Sequence, residues 1–171
     1  MTGLRMEVKR PFKLVCIGGT FSPLHIGHLK LFDIAFKLGD TVLIGLTSDD
    51  MVRRKELSSK IEGYRTRERK LREALERRGY AGRFQVVELR DPLGSAVYIR
   101  DLEAIVATEE TLPNAIRINR ERRRRGLEEL VVVVVPYARD ELGRRISSTR
   151  IRRGEIDEWG RVRCSSTSSG A

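Results

Sequence analysis

The two histidines of this chain, His25 and His28, stand three residues apart inside Gly18-Gly19-Thr20-Phe21-Ser22-Pro23-Leu24-His25-Ile26-Gly27-His28, and no other histidine occurs. Imidazole donates hydrogen bonds and carries a proton near neutral pH. At i and i+3 two such rings fall on nearly one face of a helix's first turn, while Gly27 lets backbone or ligand approach where a side chain would obstruct. A Gly-Gly-Thr turn between an apolar strand-like run and an amphipathic helix-like run is a usual place for a nucleotide's phosphates, because a helix start offers free N–H groups and a positive dipole end. Neither histidine has a Cys or carboxylate at a metal-ligand spacing. Hydrogen-bonded structural histidines are the plainer alternative, but the pairing and placement point to work on an anion.

A second chemical cluster is Ile146-Ser147-Ser148-Thr149-Arg150-Ile151-Arg152. Three hydroxyls at a helix start can cap it. The same hydroxyls, with free N–H groups and Arg150 as a neutralising charge, can equally bind an anion. Arg53-Arg54-Lys55 reads either as a solvated charge run or as a hold on a second anion. Asp91-Pro92-Leu93-Gly94-Ser95 reads as a turn that borders a pocket or as a plain Gly-Pro turn. The run Arg120 to Arg125 has five arginines without interleaved aromatics and reads as a solvated helix end, while Tyr137 and Trp159 read as packing residues. A Walker A Gly-Lys-Ser/Thr ending and a GxGxxG pattern are both absent, which argues against a P-loop kinase and a dinucleotide oxidoreductase.

The elements that must position these groups follow from apolar periodicity. Phe12 to Ile17, Thr41 to Leu46, Phe84 to Leu89, Leu102 to Ala107 and Val131 to Val135 read as strands. Ile26 to Leu38 reads as a helix with a wide buried stripe of Leu29, Phe32, Ile34, Ala35, Phe36 and Leu38, closed by Gly39 as a C-terminal cap. A polar stretch from Thr47 to Lys60 precedes a charged helix from about Thr66 to Arg78, a further helix covers Glu109 to Arg125, and a short one starts near Ser148. Val131 to Val135 is so uniformly β-branched that coverage on both faces is expected. The alternation predicts an α/β fold with a Rossmann-like, doubly wound, five-stranded parallel sheet, its ligand beyond the carboxyl ends of the strands where the strand order reverses.

At 171 residues the chain suits one domain. Residues 12–160 form it in this reading, with residues 1–11 as an N-terminal extension and the Ser-rich 161–171 as a disordered tail. Lys plus Arg exceed Asp plus Glu by 34 minus 24, a net +10, which attracts phosphates and nucleic acid nonspecifically and also fits a compositional bias towards Arg and Glu. Cys16 and Cys164 make neither a disulfide framework nor a zinc spacing, so a reducing cytoplasm is expected. Met1 to Lys13 lacks the apolar segment of a secretory signal, and the absence of an apolar run near a membrane span's length predicts no membrane association.

Gly-Gly-Thr-Phe-Ser-Pro-Leu-His-Ile-Gly-His with the distal Ile-Ser-Ser-Thr-Arg-Ile-Arg resembles the HxGH nucleotidyltransferase superfamily and its nucleotidylyl transferase fold. Within it the pattern is similar to archaeal and eukaryotic phosphopantetheine adenylyltransferases, over roughly residues 12 to 160. The selecting stretches are Ile44 to Met51, Tyr64 to Arg67, Val106 to Thr111, Ile118-Asn119-Arg120 to Gly126-Leu127, and Ser147 to Asp157. Ser22 stands where many relatives have Asp, and Ala107 where many have Ser.

The resemblance implies transfer of the adenylyl group of ATP to 4'-phosphopantetheine, giving dephospho-coenzyme A and pyrophosphate in coenzyme A biosynthesis. It implies His28 as donor to the α-phosphate, His25 as a holder of ATP phosphates, and Ser147, Ser148 and Thr149 on the leaving pyrophosphate with Arg150 as charge clamp. Thr20 and the Phe21 backbone N–H would serve ATP, and Thr20 the acceptor as well. Ser22, Lys55, Arg67, Asp91 and Gly94 are the acceptor-side candidates, and Asn119 and Arg120 gain interest from the resemblance alone. Magnesium would be held mainly by the substrate phosphates, with no protein metal site and no specific nucleic-acid partner. The alternatives are an HxGH enzyme acting on nicotinamide mononucleotide, riboflavin phosphate or glycerol phosphate, and, from another class, a basic RNA-binding protein supported by the +10 charge.

Overall fold

Residues 9–163 are described by the computed structural model. The β-branched and apolar runs form five strands: β1 (Phe12–Gly19), β2 (Gly39–Thr47), β3 (Phe84–Leu89), β4 (Ala104–Thr108) and β5 (Val131–Val135). Between them lie the helices α1 (Ile26–Leu38), α2 (Asp49–Val52), α3 (Tyr64–Arg77) and α4 (Leu112–Arg124), with α5 (Ser148–Arg152) after the last strand. All strands are parallel in the order β3-β2-β1-β4-β5. The chain therefore reverses direction across the sheet between β1 and β4, the crevice where open α/β sheets bind ligands.

Each sheet face has its own core. On one, Leu31, Phe32, Ala35 and Phe36 of α1 and Leu71 and Leu75 of α3 pack on Val15, Ile17, Val42, Ile44 and Leu46. Burying a Phe or Leu this fully contributes about 2 kcal/mol, so α1 alone anchors one layer. On the other face, Ala115 and Ile118 of α4 meet Cys16, Leu43, Ile105 and Ala107, together with Ala96, Val97 and Leu102 from the segment before β4.

Four expectations change. Leu31 belongs to the buried stripe of α1, whereas Leu29, Ile34 and Leu38 are only partly buried at its margin. Gly39 does close α1 as its C-terminal cap, its N–H donating to the Ala35 carbonyl, but in extended backbone, φ −114°, as the first residue of β2; its need for glycine is contact, since a Cβ there would come within 2.7 Å of Val15 Cγ2. β5 is an edge strand paired only with β4, and Val131 is 51% and Val134 42% exposed, so its five valines express strand propensity and not two-sided coverage.

The arginine-rich end of α4 is not wholly solvated. Arg122 is completely buried and donates to the carbonyls of Glu128, Ala96, Ile99 and Leu102, tying the loop before β4 to the helix. Asn119 exchanges two hydrogen bonds with the backbone of Leu130 at 2.9 and 2.8 Å, which fixes the entry to β5. At the carboxyl end, Arg161–Arg163 fold back: Ile156 bridges Val162, and the Val162 N–H donates to Glu141. Residues 164–171, with Cys164 and the rest of the expected tail, and residues 1–8 of the expected extension lie outside the described residues. No helix among the described residues is long and apolar enough to cross a membrane.

Candidate active site

β1 ends at Gly19, and Phe21 follows with φ +50°, a left-handed conformation that costs an L-residue of this size about 1 kcal/mol or more. The turn drives the Phe21 ring into the core against Phe32 and edge-on against His28, at 5.1 Å in each case. His25 then caps α1: its Nδ1 accepts the Gly27 N–H at 3.1 Å. A Cβ on residue 27 would stand 2.9 Å from the His25 ring, so the glycine of the motif makes room for the histidine that precedes it.

The two imidazoles stack, centroids 3.7 Å apart and planes inclined by 22°. Burial pushes the pKa of His25 down to about 4, with the charge of Arg145 adding to the effect. Burial also pushes His28 well below the ordinary imidazole value, and the neighbouring His25 adds to it. Both rings are therefore neutral near pH 7. With Nδ1 of His25 accepting, its proton sits on Nε2. His28 Nδ1 is shut off from solvent and has no hydrogen-bond partner among the described residues.

This stack forms one wall of a cavity of about 210 Å³ at the carboxyl ends of β1, β4 and β5. Ser147, the N-cap of α5, and Ser148 and Thr149 of its first turn also line it, together with Thr20 and Phe21. The hydroxyls already have local uses. Ser147 caps α5 by accepting the Arg150 N–H, Ser148 donates to the Pro23 carbonyl, and Thr149 accepts from Arg152 at 3.2 Å. Capping and cavity lining thus coincide in the same residues.

The basic residues sort differently from their expected roles. Arg150 does not line the cavity; its side chain is 15% exposed and committed to Asp140 at 2.8 Å, Glu155 at 2.9 Å and the Arg145 carbonyl at 2.5 Å. Burial would raise the Asp140 carboxyl, but hydrogen bonds from Arg150 and from the N–H groups of Arg144 and Leu142 bring it down to about 2. Arg152 is the arginine of this motif on the cavity wall. It donates to the Ser22 carbonyl at 2.7 Å and to Thr149, and its buried Nε has no partner among the described residues. Arg145, from the loop before Ser147, also lines the cavity.

A second cavity, of about 280 Å³, opens on the α4 side of the sheet and shares Gly18, Gly19, Thr20, Lys55, Glu110 and Thr111 with the first. Its walls are mainly apolar, among them Leu43, Val87, Leu89, Ile105, Ala115 and Ile118. Lys55 stands at the junction and carries no ion pair among the described residues.

Four acceptor-side candidates do not reach either cavity. Arg67 is 1% exposed and spends its guanidinium on the Glu62 and Thr20 carbonyls, Thr47 and Asp49, holding Thr20 from beneath. Ser22 is 3% exposed and presents its carbonyl to Arg152. Asp91 accepts the N–H groups of Leu93 and Gly94 in a closed turn, and it is the neighbours Pro92 and Ser95 that line the second cavity. Trp159 is 61% exposed, whereas Tyr137 lines the first cavity beneath the Arg145 guanidinium, which lies 3.9 Å from its ring centroid. The sequence reading missed Arg145, Glu110, Thr108 and Thr111. A polar cluster at the carboxyl end of β4 is the signal that could have found the last three.

Parallel strands in the order 3-2-1-4-5, an HxGH turn after β1 and an ISSTxxR helix facing it define the class of nucleotidyltransferases. The family model for cytidylyltransferase-like proteins matches residues 16–154. The chain is 44% identical over 149 residues to a phosphopantetheine adenylyltransferase from Pyrococcus abyssi, covering 87% of this chain and 94% of that protein. It is 43% identical over 147 residues to one from Methanopyrus kandleri, covering 86% and 92%. Among solved structures it superposes on a protein of unknown function from Archaeoglobus fulgidus with a TM-score of 0.65 at 34% identity, over 71% of this chain and 87% of that one. The chain belongs to the phosphopantetheine adenylyltransferase family within the cytidylyltransferase-like proteins, and it is an enzyme of the nucleotidyltransferase kind.

Proposed function

We propose that the protein transfers the adenylyl group of ATP to 4'-phosphopantetheine. The carrying observation is the pair of cavities that meet at the β1/β4 crevice, one lined by imidazoles, hydroxyls and arginines, the other apolar with Lys55 at its mouth. ATP phosphates suit the first, and the acceptor's thiol-ended arm suits the second.

In the proposed reaction an oxygen of the acceptor's phosphate attacks the α-phosphorus of ATP. The bond to the β-phosphate oxygen breaks and pyrophosphate leaves. A phosphate monoester is already ionised at neutral pH and needs no side-chain base, so the protein contributes position and charge stabilisation. His28 donates to the α-phosphate as negative charge develops there, and His25, packed flat on it, holds its ring and meets the ATP phosphates. Both being neutral, they offer donors without charging a buried pocket before the anion arrives.

Ser147, Ser148, Thr149 and the Phe21 N–H receive the ATP phosphates, and Arg152 takes the clamp role first expected of Arg150. Arg150 acts through Asp140 and the Arg145 carbonyl to shape the loop. Thr20 and Lys55 receive the acceptor phosphate, with Arg67 fixing the Thr20 backbone. Magnesium would arrive on the substrate phosphates. Among the described residues no group of three or more His, Cys, Asp or Glu is arranged to hold a metal. ATP supply and the free, buried Cys16 are consistent with work in the cytoplasm.

The test is pyrophosphate release from ATP and magnesium with 4'-phosphopantetheine, nicotinamide mononucleotide, riboflavin phosphate or glycerol phosphate, with CTP in parallel. Release with 4'-phosphopantetheine alone, and dephospho-coenzyme A as product, is expected. Release with another acceptor would reassign the pathway, and release with none, together with salt-sensitive RNA binding, would favour the nucleic-acid alternative.

A further inference from the structure

We propose that Arg145 is a swinging clamp on the triphosphate, which Glu110 holds aside while the site is empty. The proposal rests on the nucleotide reading of the first cavity. Arg145 sits in the loop two residues before Ser147, and Glu110 sits across the mouth in the loop between β4 and α4. Their side chains form an ion pair, and Glu110 is the one carboxylate within ion-pair distance of Arg145 among the described residues.

Four further observations separate this arginine from a surface partner. Its backbone is pinned on both sides, by a bridge to Arg139 and by the Arg150 guanidinium on its carbonyl, so motion is confined to the side chain. The guanidinium carbon lies over Tyr137, 3.9 Å from the ring centroid, an aromatic face that holds the cation without using its N–H donors. Its Nε is buried and has no hydrogen-bond partner among the described residues, so the fork that recognises a phosphate is only partly occupied. Arg145 is also near enough to His25 for its charge to depress that imidazole.

A polyphosphate entering between α5 and the imidazole stack carries more negative charge than one carboxylate and offers the fork two oxygens at once. Arg145 then exchanges Glu110 for phosphate, and Glu110, whose side chain is 62% exposed even in the ion pair, is left to solvent. When pyrophosphate leaves, the ion pair reforms. Glu110 thus lowers affinity for the nucleotide and favours release of the product.

The test is a double-mutant cycle on ATP affinity, measured by calorimetry with magnesium and no acceptor, so that no turnover occurs. Glu110→Gln should tighten ATP by about fivefold and Arg145→Ala should weaken it by about tenfold, the size expected of one charge-assisted contact to a phosphate. In the Arg145→Ala background Glu110→Gln should then have almost no effect, because no clamp remains to release. An equal tightening in both backgrounds would reduce Glu110 to general repulsion and overturn the proposal, as would no tightening in either. A wild-type protein without ATP affinity would overturn the nucleotide reading itself, whereas normal ATP binding with no coupling removes only the clamp.

Discussion

Acidification should destabilise the fold through the stacked imidazoles. His25 has a folded pKa of about 4, against about 6.5 for an ordinary imidazole in the unfolded chain. Between these values the unfolded state binds more protons, so stability is fully present above about pH 6.5 and declines as pH falls towards 4. At about pH 5 the unfolded chain holds nearly one proton on this side chain and the folded one about a tenth; integrated from about pH 7, the loss is about 2 kcal/mol. His28 is depressed in the same direction and adds to it.

That is a large part of the about 5–15 kcal/mol typical of a domain. Urea unfolding at about pH 7, 6 and 5 measures it, and the chain's having only two histidines makes the control simple: His25→Asn/His28→Asn should flatten the profile over this range. Asp140, held down to about 2, adds its own loss only when pH falls below the ordinary carboxylate value. A wild-type profile that is flat from pH 7 to 5, or one unchanged in the double variant, would refute buried neutral imidazoles as its source.

Arg152→Ala should raise the KM for ATP by about tenfold or more, since it removes a charged phosphate partner from the wall, with steady-state kinetics as the check. Arg150→Ala should instead lower the melting midpoint by removing the shorter of Asp140's two ion pairs and leaving it only Arg144 at 3.3 Å, and thermal unfolding of both variants separates the roles. Arg122→Leu strips donors from four backbone carbonyls and should cost roughly 3 kcal/mol or more in urea unfolding. Lys55→Ala should raise the KM for 4'-phosphopantetheine by about tenfold with ATP affinity nearly intact, a split readable from initial rates with each substrate varied in turn.

The strands, helices and reversal point were legible because period-2 and period-3.6 patterns in this chain rarely conflict. Both motifs were legible because glycine, histidine and hydroxyl residues were clustered at element ends. What sequence could not distribute was the work of the arginines. Arg67, Arg122, Arg150 and Arg152 look alike in a string, and only the carbonyls and carboxylates that folding brings within 3–4 Å separate a buried strut from a free clamp. Glu110 and Arg145 lie 35 positions apart, so their pairing was beyond any local pattern. The five valines of β5 misled for a related reason, because composition reports strand propensity but not whether a neighbour lies on the far side.

The most direct test of the site is a single-turnover measurement of adenylyl transfer from ATP to 4'-phosphopantetheine by the wild type and His28→Ala, with ATP affinity measured alongside. A donor aimed at charge that appears only in the transition state contributes a few kcal/mol there and little in the ground state. The rate should therefore fall by about a hundredfold or more while ATP affinity stays within a few-fold. A His28→Ala enzyme that transfers at nearly the wild-type rate would contradict the account, since the chemistry would then have to be placed elsewhere than on the stacked pair at the start of α1.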